Sequence, residues 1–150
     1  MKTDSSYGII PFHQTPEGKL QFLIIHQTNG YRGFPKGHKE SGESDQQAAL
    51  RELQEETSIT HCTLCDPDHP LVVEYRFLDP KINHPIQKTV YYFLGAVDQQ
   101  GKAECQVDNY EVDQYYRGDL ETLKQLLTHQ NSKDLLDQAF LLLTHTQKNA

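Results

Sequence analysis

Four neighbouring residues, Arg51, Glu52, Glu55 and Glu56, have the types and spacing to gather a hard divalent cation. At about 100° per residue, the three glutamates fall within an arc of about 100° on one side of a helix, and Ala49, Leu50, Leu53 and Thr57 fall on another. Like charges at these spacings cost a few tenths of a kcal/mol per pair in a solvated helix, and more in a sheltered one, unless a cation collects them. Carboxylate oxygens suit Mg²⁺ or Mn²⁺, and Mg²⁺ keeps waters that substrate phosphates can displace. Arg51 lies beside the arc and can orient a carboxylate through its planar fork. A Glu-rich face is more often simply solvated, so these four residues alone support only a charged helix.

Charge and composition narrow the partners. A formal net charge of −7 opposes a DNA duplex, so any phosphate partner needs a local device, either a bound cation or a small Lys and His cluster. The longest apolar runs, Phe22 to Ile25 and Tyr91 to Val97, are far shorter than the ~20 residues of a membrane span, and Met1 to Ser6 is polar. The expectation is a cytoplasmic protein with no membrane partner. Three cysteines give no paired disulfide framework. Cys62 and Cys65 form a CxxC flanked by His61 and His69, but Cys105 is isolated and a closed zinc site needs four ligands, so reduced cysteines in a loop are expected.

The 150 residues show no break in composition and read as one domain able to bury roughly 70% of its unfolded surface. Tyr7 to Phe12 and Leu20 to Gln27 read as strands around a Thr15-Pro16-Glu17-Gly18 turn. Asn29 to Ser44 is a long polar connection of the kind that usually carries function. Ser44 or Asp45 caps a helix running to about Thr57, and His61 to Pro70 reads as a loop. Leu71 to Leu78 and Thr89 to Val97 read as strands separated by turn residues Pro80, Asn83 and Pro85. Helices are predicted over Asp119 to Thr128 and over Lys133 to Thr146 behind a Ser132 cap. The order of elements suggests a mixed sheet with helices packed against it.

Residues upstream of the glutamates complete a longer pattern. Gly37, five residues, Glu43, seven residues, then Arg51-Glu52-Leu53-Gln54-Glu55-Glu56-Thr57-Ser58-Ile59 closely resembles the signature of the Nudix hydrolase family. Six fixed residues of common types recur by chance in a chain of this length on the order of one time in 100,000. The resemblance implies an α/β (α+β) fold, a mixed β-sheet sandwiched between helices, and hydrolysis of nucleoside diphosphates linked to another moiety. It also implies that Glu52, Glu55 and Glu56 ligate Mg²⁺, with Mn²⁺ as an alternative, helped by the Gly37 carbonyl, and that one glutamate activates water. Ser58 stands where the family has Gly, a position that usually takes a left-handed conformation after the helix and costs a residue with a β-carbon about 1 kcal/mol.

A narrower resemblance rests on Phe34-Pro35-Lys36-Gly37-His38, on Lys88-Thr89-Val90-Tyr91-Tyr92-Phe93-Leu94, and on Glu111 followed by Tyr115. These segments are similar to the asymmetrical diadenosine tetraphosphate hydrolases, which give ATP and AMP. That resemblance implies that Lys36 and His38 face phosphates, that Lys88 assists substrate binding, and that Tyr92 and Tyr115 embrace adenine. Stacking on a base is worth about 1 to 3 kcal/mol. Glu111 is read as a residue bonded to the metal ligands from behind, an alternative base or a solvated acid. Arg117 lies where this group tends to carry Trp. Other Nudix activities, including action on RNA 5′ ends, and a retired nucleotide sensor are the competing readings. The partner implied is a small nucleotide, acted on by a monomer.

Overall fold

In the computed structural model, which describes residues 1–148, alternating apolar residues build one mixed sheet. Its strands are β1 (Lys2–Gln14), β2 (Leu20–Gln27), β3 (Arg32–Gly33), β4 (Lys36–Gly37), β5 (Cys62–Cys65), β6 (Leu71–Asp79), β7 (His84–Val97) and β8 (Val112–Gly118). The spine of the sheet runs β3-β2-β1-β7-β5, with β4 on β1, β6 on β7 and β8 on β2. Strands β1 and β7 lie parallel from Lys2↔Ile86 to Phe12↔Ala96, and the other pairings are antiparallel.

Period-two alternation divides the side chains between two layers. Ile9, Leu23 and Phe93 meet Ala49 and Leu53 of helix α1 (Asp45–Thr57). Ile10, Phe22, Ile24, Val90 and Tyr92 face the other way, where Leu123 of α3 (Leu120–Leu126) and Leu135, Leu136 and Ala139 of α4 (Gln130–Lys148) cover them. A short helix, α2 (Gln99–Glu104), follows β7. This is the sandwich of sheet between helices expected from the sequence.

Five local assignments change. The segment from Cys62 to Cys65, read as loop, is a strand paired to Leu94–Val97; four residues are too few to show alternation. Because i and i+3 on a strand face opposite ways, Cys62 joins the α1-side core and Cys65 the other, so the CxxC does not present two thiols to one ion. Burial pushes the Cys62 thiol up to about 12. The Asn29 to Ser44 connection is partly ordered by β3 and β4. Helix α2 and strand β8 arise where no element was assigned. Helix α4 begins at Gln130, which places Ser132 inside the first turn and buried instead of at the cap.

The ends of α1 follow from its sequence. Ser44 accepts from the Gln47 backbone while the Gln47 side chain bonds back to the Ser44 N–H, a reciprocal cap. At the other end Ser58 adopts φ 66°, the left-handed turn, and its N–H closes on the Gln54 carbonyl. Replacing Ser58 by Gly removes the strain of that β-carbon and only an exposed 3.3 Å contact from its hydroxyl to the Gln106 carbonyl. Ser58→Gly is expected to raise the unfolding free energy by roughly 0.5 to 1 kcal/mol, read from urea midpoints at unchanged m value. A loss of stability would contradict this account of the helix end.

Candidate active site

Helix α1 and the short strand β4 meet at one glycine. A β-carbon at Gly37 would overlap the Glu52 carboxylate, so in this position the carboxylate lies directly against the glycine and any larger residue would displace it. Gly37 is held there by pairing with Tyr7, and its neighbour Lys36 by pairing with Gly8.

Arg51 organises the acids around this contact. Its Nε donates to Glu43 Oε2 at 2.7 Å and its Nη2 to Glu43 Oε1 at 3.1 Å, a two-point grip on the loop. The same Nη2 donates to the His38 carbonyl at 2.7 Å. Its Nη1 donates to Glu52 at 3.0 Å and to Glu55 at 3.1 Å. These carboxylates hold the guanidinium charged.

Glu56 stands apart from this grip. It is half-buried, its buried Oε2 has no hydrogen-bond partner, and desolvation followed by the Glu52 charge pushes its carboxyl up to about 8. The Lys36 charge and backbone N–H act the other way. Burial and Glu55 raise Glu52 as well. A sheltered acid with an orphaned oxygen beside a second acid of raised pKa is a donor set that a hard divalent cation would satisfy. Among the described residues, no three His, Cys, Asp or Glu side chains converge into a closed metal cage. Mg²⁺ does not need one, since it is commonly held by one or two carboxylates, waters and substrate phosphates. The donor set therefore fits Mg²⁺.

Lys36 connects the acids to an elongated cleft. The cleft has a volume of about 840 Å³ and runs along the sheet face opposite α1. Tyr31 and His129 form one wall, with ring centres 5.5 Å apart, and Tyr75 and Phe77 another, 6.1 Å apart. The Lys36 ammonium sits 6.0 Å from the centre of the Tyr31 ring. Burial, then the Lys88 charge, lowers the Lys36 pKa. Gln130, Asn131 and Ser132, at the start of α4, close the end.

The expected substrate residues divide. Tyr92 lines this cleft but is only 4% exposed, with its ring edge on Phe34 at 5.9 Å. Tyr91 faces the α1 side and stacks on Tyr7. Tyr115 pairs with Ile25 and so faces the α1 side too, under the Arg117 guanidinium at 5.7 Å. Tyr92 and Tyr115 therefore lie on opposite faces of the sheet and do not clamp one base between them. Lys88 is buried with its ammonium 2.6 Å from both Asp4 Oδ2 and Ser6 Oγ. His38 is exposed and meets the same Asp4 at 3.0 Å. Glu111 is exposed, close enough for its charge to raise Glu56, and its side chain has no partner among the described residues. Tyr31, Tyr75, Phe77 and His129 escape the sequence reading; only the aromatic content of the segments around them hinted at a cleft wall.

Comparison with known proteins converges on one family. The NUDIX domain matches residues 5–139. The chain is 36% identical over 81 residues to bis(5'-nucleosyl)-tetraphosphatase [asymmetrical] of Rattus norvegicus, covering 52% of this chain and 51% of the relative. It is 52% identical over 42 residues to the Sus scrofa protein of the same name, 27% of this chain and 29% of that one. The matched stretches thus span about half or less of these two curated relatives. The fold is similar to that of a C. elegans Ap4A hydrolase in a binary complex, with a TM-score of 0.78 and 25% identity over 94% of this chain and 98% of that one. The NUDIX domain of Shewanella oneidensis NrtR, complexed with ADP ribose, shares the fold at a TM-score of 0.72 and 18% identity over 95% of this chain and 90% of that one. With the family matching most of the chain, and with Gly37, Glu43 and the Arg51 to Glu56 helix assembled at one place, this chain belongs to the Nudix family.

Proposed function

We propose that this chain is a Mg²⁺-dependent pyrophosphohydrolase that cleaves diadenosine tetraphosphate asymmetrically into ATP and AMP. The observation that carries the reading is Glu56, whose buried Oε2 has no hydrogen-bond partner, beside Lys36, which lines an aromatic cleft large enough for a nucleoside. The named relatives support the choice of dinucleotide.

Glu52 and Glu56, with Glu55 and the Gly37 carbonyl, would hold Mg²⁺ or Mn²⁺. When bound, the ion supplies positive charge against the phosphate oxygens. The remaining work falls to the chain itself. Arg51 keeps the helix carboxylates registered on the loop through Glu43. Lys36, between the acids and the cleft, binds the polyphosphate where it crosses from one to the other. Glu111, whose side chain is uncommitted, accepts a proton from the attacking water. The Tyr31 and His129 wall and the Tyr75 and Phe77 wall hold the base by their faces, a role assigned to them in place of a Tyr92 and Tyr115 clamp. Action on RNA 5′ ends is less well supported, since the −7 charge disfavours a long polyanion.

Incubation with Mg²⁺ and diadenosine tetraphosphate is expected to yield ATP and AMP in equal amounts. Two ADP, or no turnover while another nucleotide of a substrate panel is cleaved, would overturn the dinucleotide assignment.

The acid cluster also sets a pH dependence. Folding raises Glu56 from its ordinary 4.5 to about 8, so in chelator-treated protein its stabilisation is complete below the unfolded value and is lost as pH rises through about 8. Resistance to urea should therefore fall between about pH 5 and pH 8, and Glu56→Gln should flatten much of that slope, leaving the part due to Glu52, which has the same sign. A Glu56→Gln protein with the wild-type slope would remove this account of the buried acid. The same substitution is expected to cut turnover on the order of 100-fold, read from kcat at saturating Mg²⁺; near-normal turnover would contradict the mechanism.

A further inference from the structure

Strand β6 forms an outer edge of the sheet. It pairs with β7 from Leu71↔Tyr92 to Asp79↔His84 and, among the described residues, with no other strand. An open edge offers a row of backbone donors and acceptors, which proteins commonly blunt with like charges, proline or a bulge. Strand β6 has no proline or bulge along Leu71–Asp79 and pairs in unbroken register, and its two mid-strand charges, Glu74 and Arg76, are of opposite sign. Its face away from the cleft presents Val72, Glu74, Arg76 and Leu78, all exposed, with Val72 at 49% and Leu78 at 59%.

The order of these residues is self-complementary. When a second copy of Leu71–Asp79 is laid antiparallel about Tyr75, Glu74 falls opposite Arg76, Val72 opposite Leu78 and Val73 opposite Phe77, each twice by symmetry. Centring the pair on Glu74 instead sets glutamate against glutamate, and centring it on Arg76 sets arginine against arginine, whereas the register about Tyr75 sets the two opposite charges against each other. Both charges are available, because among the described residues neither has an ion-pair partner. Arg76 makes only a 3.3 Å contact to Gln87.

We propose that β6 is a homodimer interface, in which two copies of this chain join edge to edge about Tyr75. This replaces the monomer expected from the sequence. Val73, Tyr75 and Phe77 also line the cleft, so the second copy's Phe77, opposite Val73, extends the open outer wall of each cleft. The dimer itself stands independently of the hydrolase reading; its effect on the cleft rests on that reading.

Sedimentation equilibrium at about 150 mM salt, from about 1 to 100 μM protein, tests it. The wild type is expected to move toward twice the 17.3 kDa of the chain. E74R and R76E, which set like charges opposite each other, should each weaken the dissociation constant about tenfold or more. The double variant E74R/R76E swaps the signs, restores both pairs, and should return within about threefold of wild type. Far-ultraviolet circular dichroism and hydrolysis by each variant report folding separately. A wild type that stays monomeric throughout, a dimer that both single reversals leave intact, or a folded double variant that fails to recover association would overturn the proposal.

Discussion

The structure depends on one guanidinium. Arg51 grips Glu43 of the loop at two points and the His38 carbonyl at a third, while its remaining amine reaches Glu52 and Glu55 of its own helix. Four acids crowded at one helix face repel one another, and this fork turns that repulsion into a fixed register between loop and helix. Once the register is set, the Glu52 carboxylate lies on Gly37, and a β-carbon at residue 37 would have to push it off the loop. Glu43, a fixed residue of the signature read in the sequence, is the loop partner that anchors the arrangement.

The consequence is a division of labour among chemically identical residues. Glu52 and Glu55 are hydrogen-bonded by Arg51, whereas Glu56 is sheltered, lacks a partner for one oxygen and lies in the field of Glu52 and Glu111. Such an acid is costly to ionise by itself and gains most from a cation. Lys36 carries this polarity across the sheet, since its backbone meets Glu56 while its ammonium approaches the Tyr31 ring in the cleft. The acids and the aromatic cleft are thus joined through one lysine, a layout suited to a molecule with phosphates at one end and a flat ring at the other.

The parts legible in the sequence were those encoded locally. Helix α1, its Ser44 start and its carboxylate face follow from helical period and capping, and the left-handed Ser58 follows from the position where glycine was missing. The sandwich follows from strand alternation. Strand β8 was invisible because Val112-Asp113-Gln114-Tyr115-Tyr116-Arg117 does not alternate, and it forms by pairing with a strand some 90 residues earlier in the chain. Lys88 similarly looked free for substrate, but its partner Asp4 lies 84 residues away. The cleft walls draw on the loop after β2, on β6 and on the start of α4, so no local pattern could identify Tyr31, Tyr75, Phe77 and His129 as neighbours. Whether Tyr91 or Tyr92 meets the cleft depended on which helices cover which face, which alternation alone leaves undecided.

A crystal structure with Mg²⁺ and a non-hydrolysable diadenosine tetraphosphate analogue tests the central claim most directly. The account predicts metal on Glu52 and Glu56 beside the Gly37 carbonyl, and one adenine between the Tyr31 and His129 wall and the Tyr75 and Phe77 wall. Metal bound away from Glu56, or both adenines outside the cleft, would contradict it.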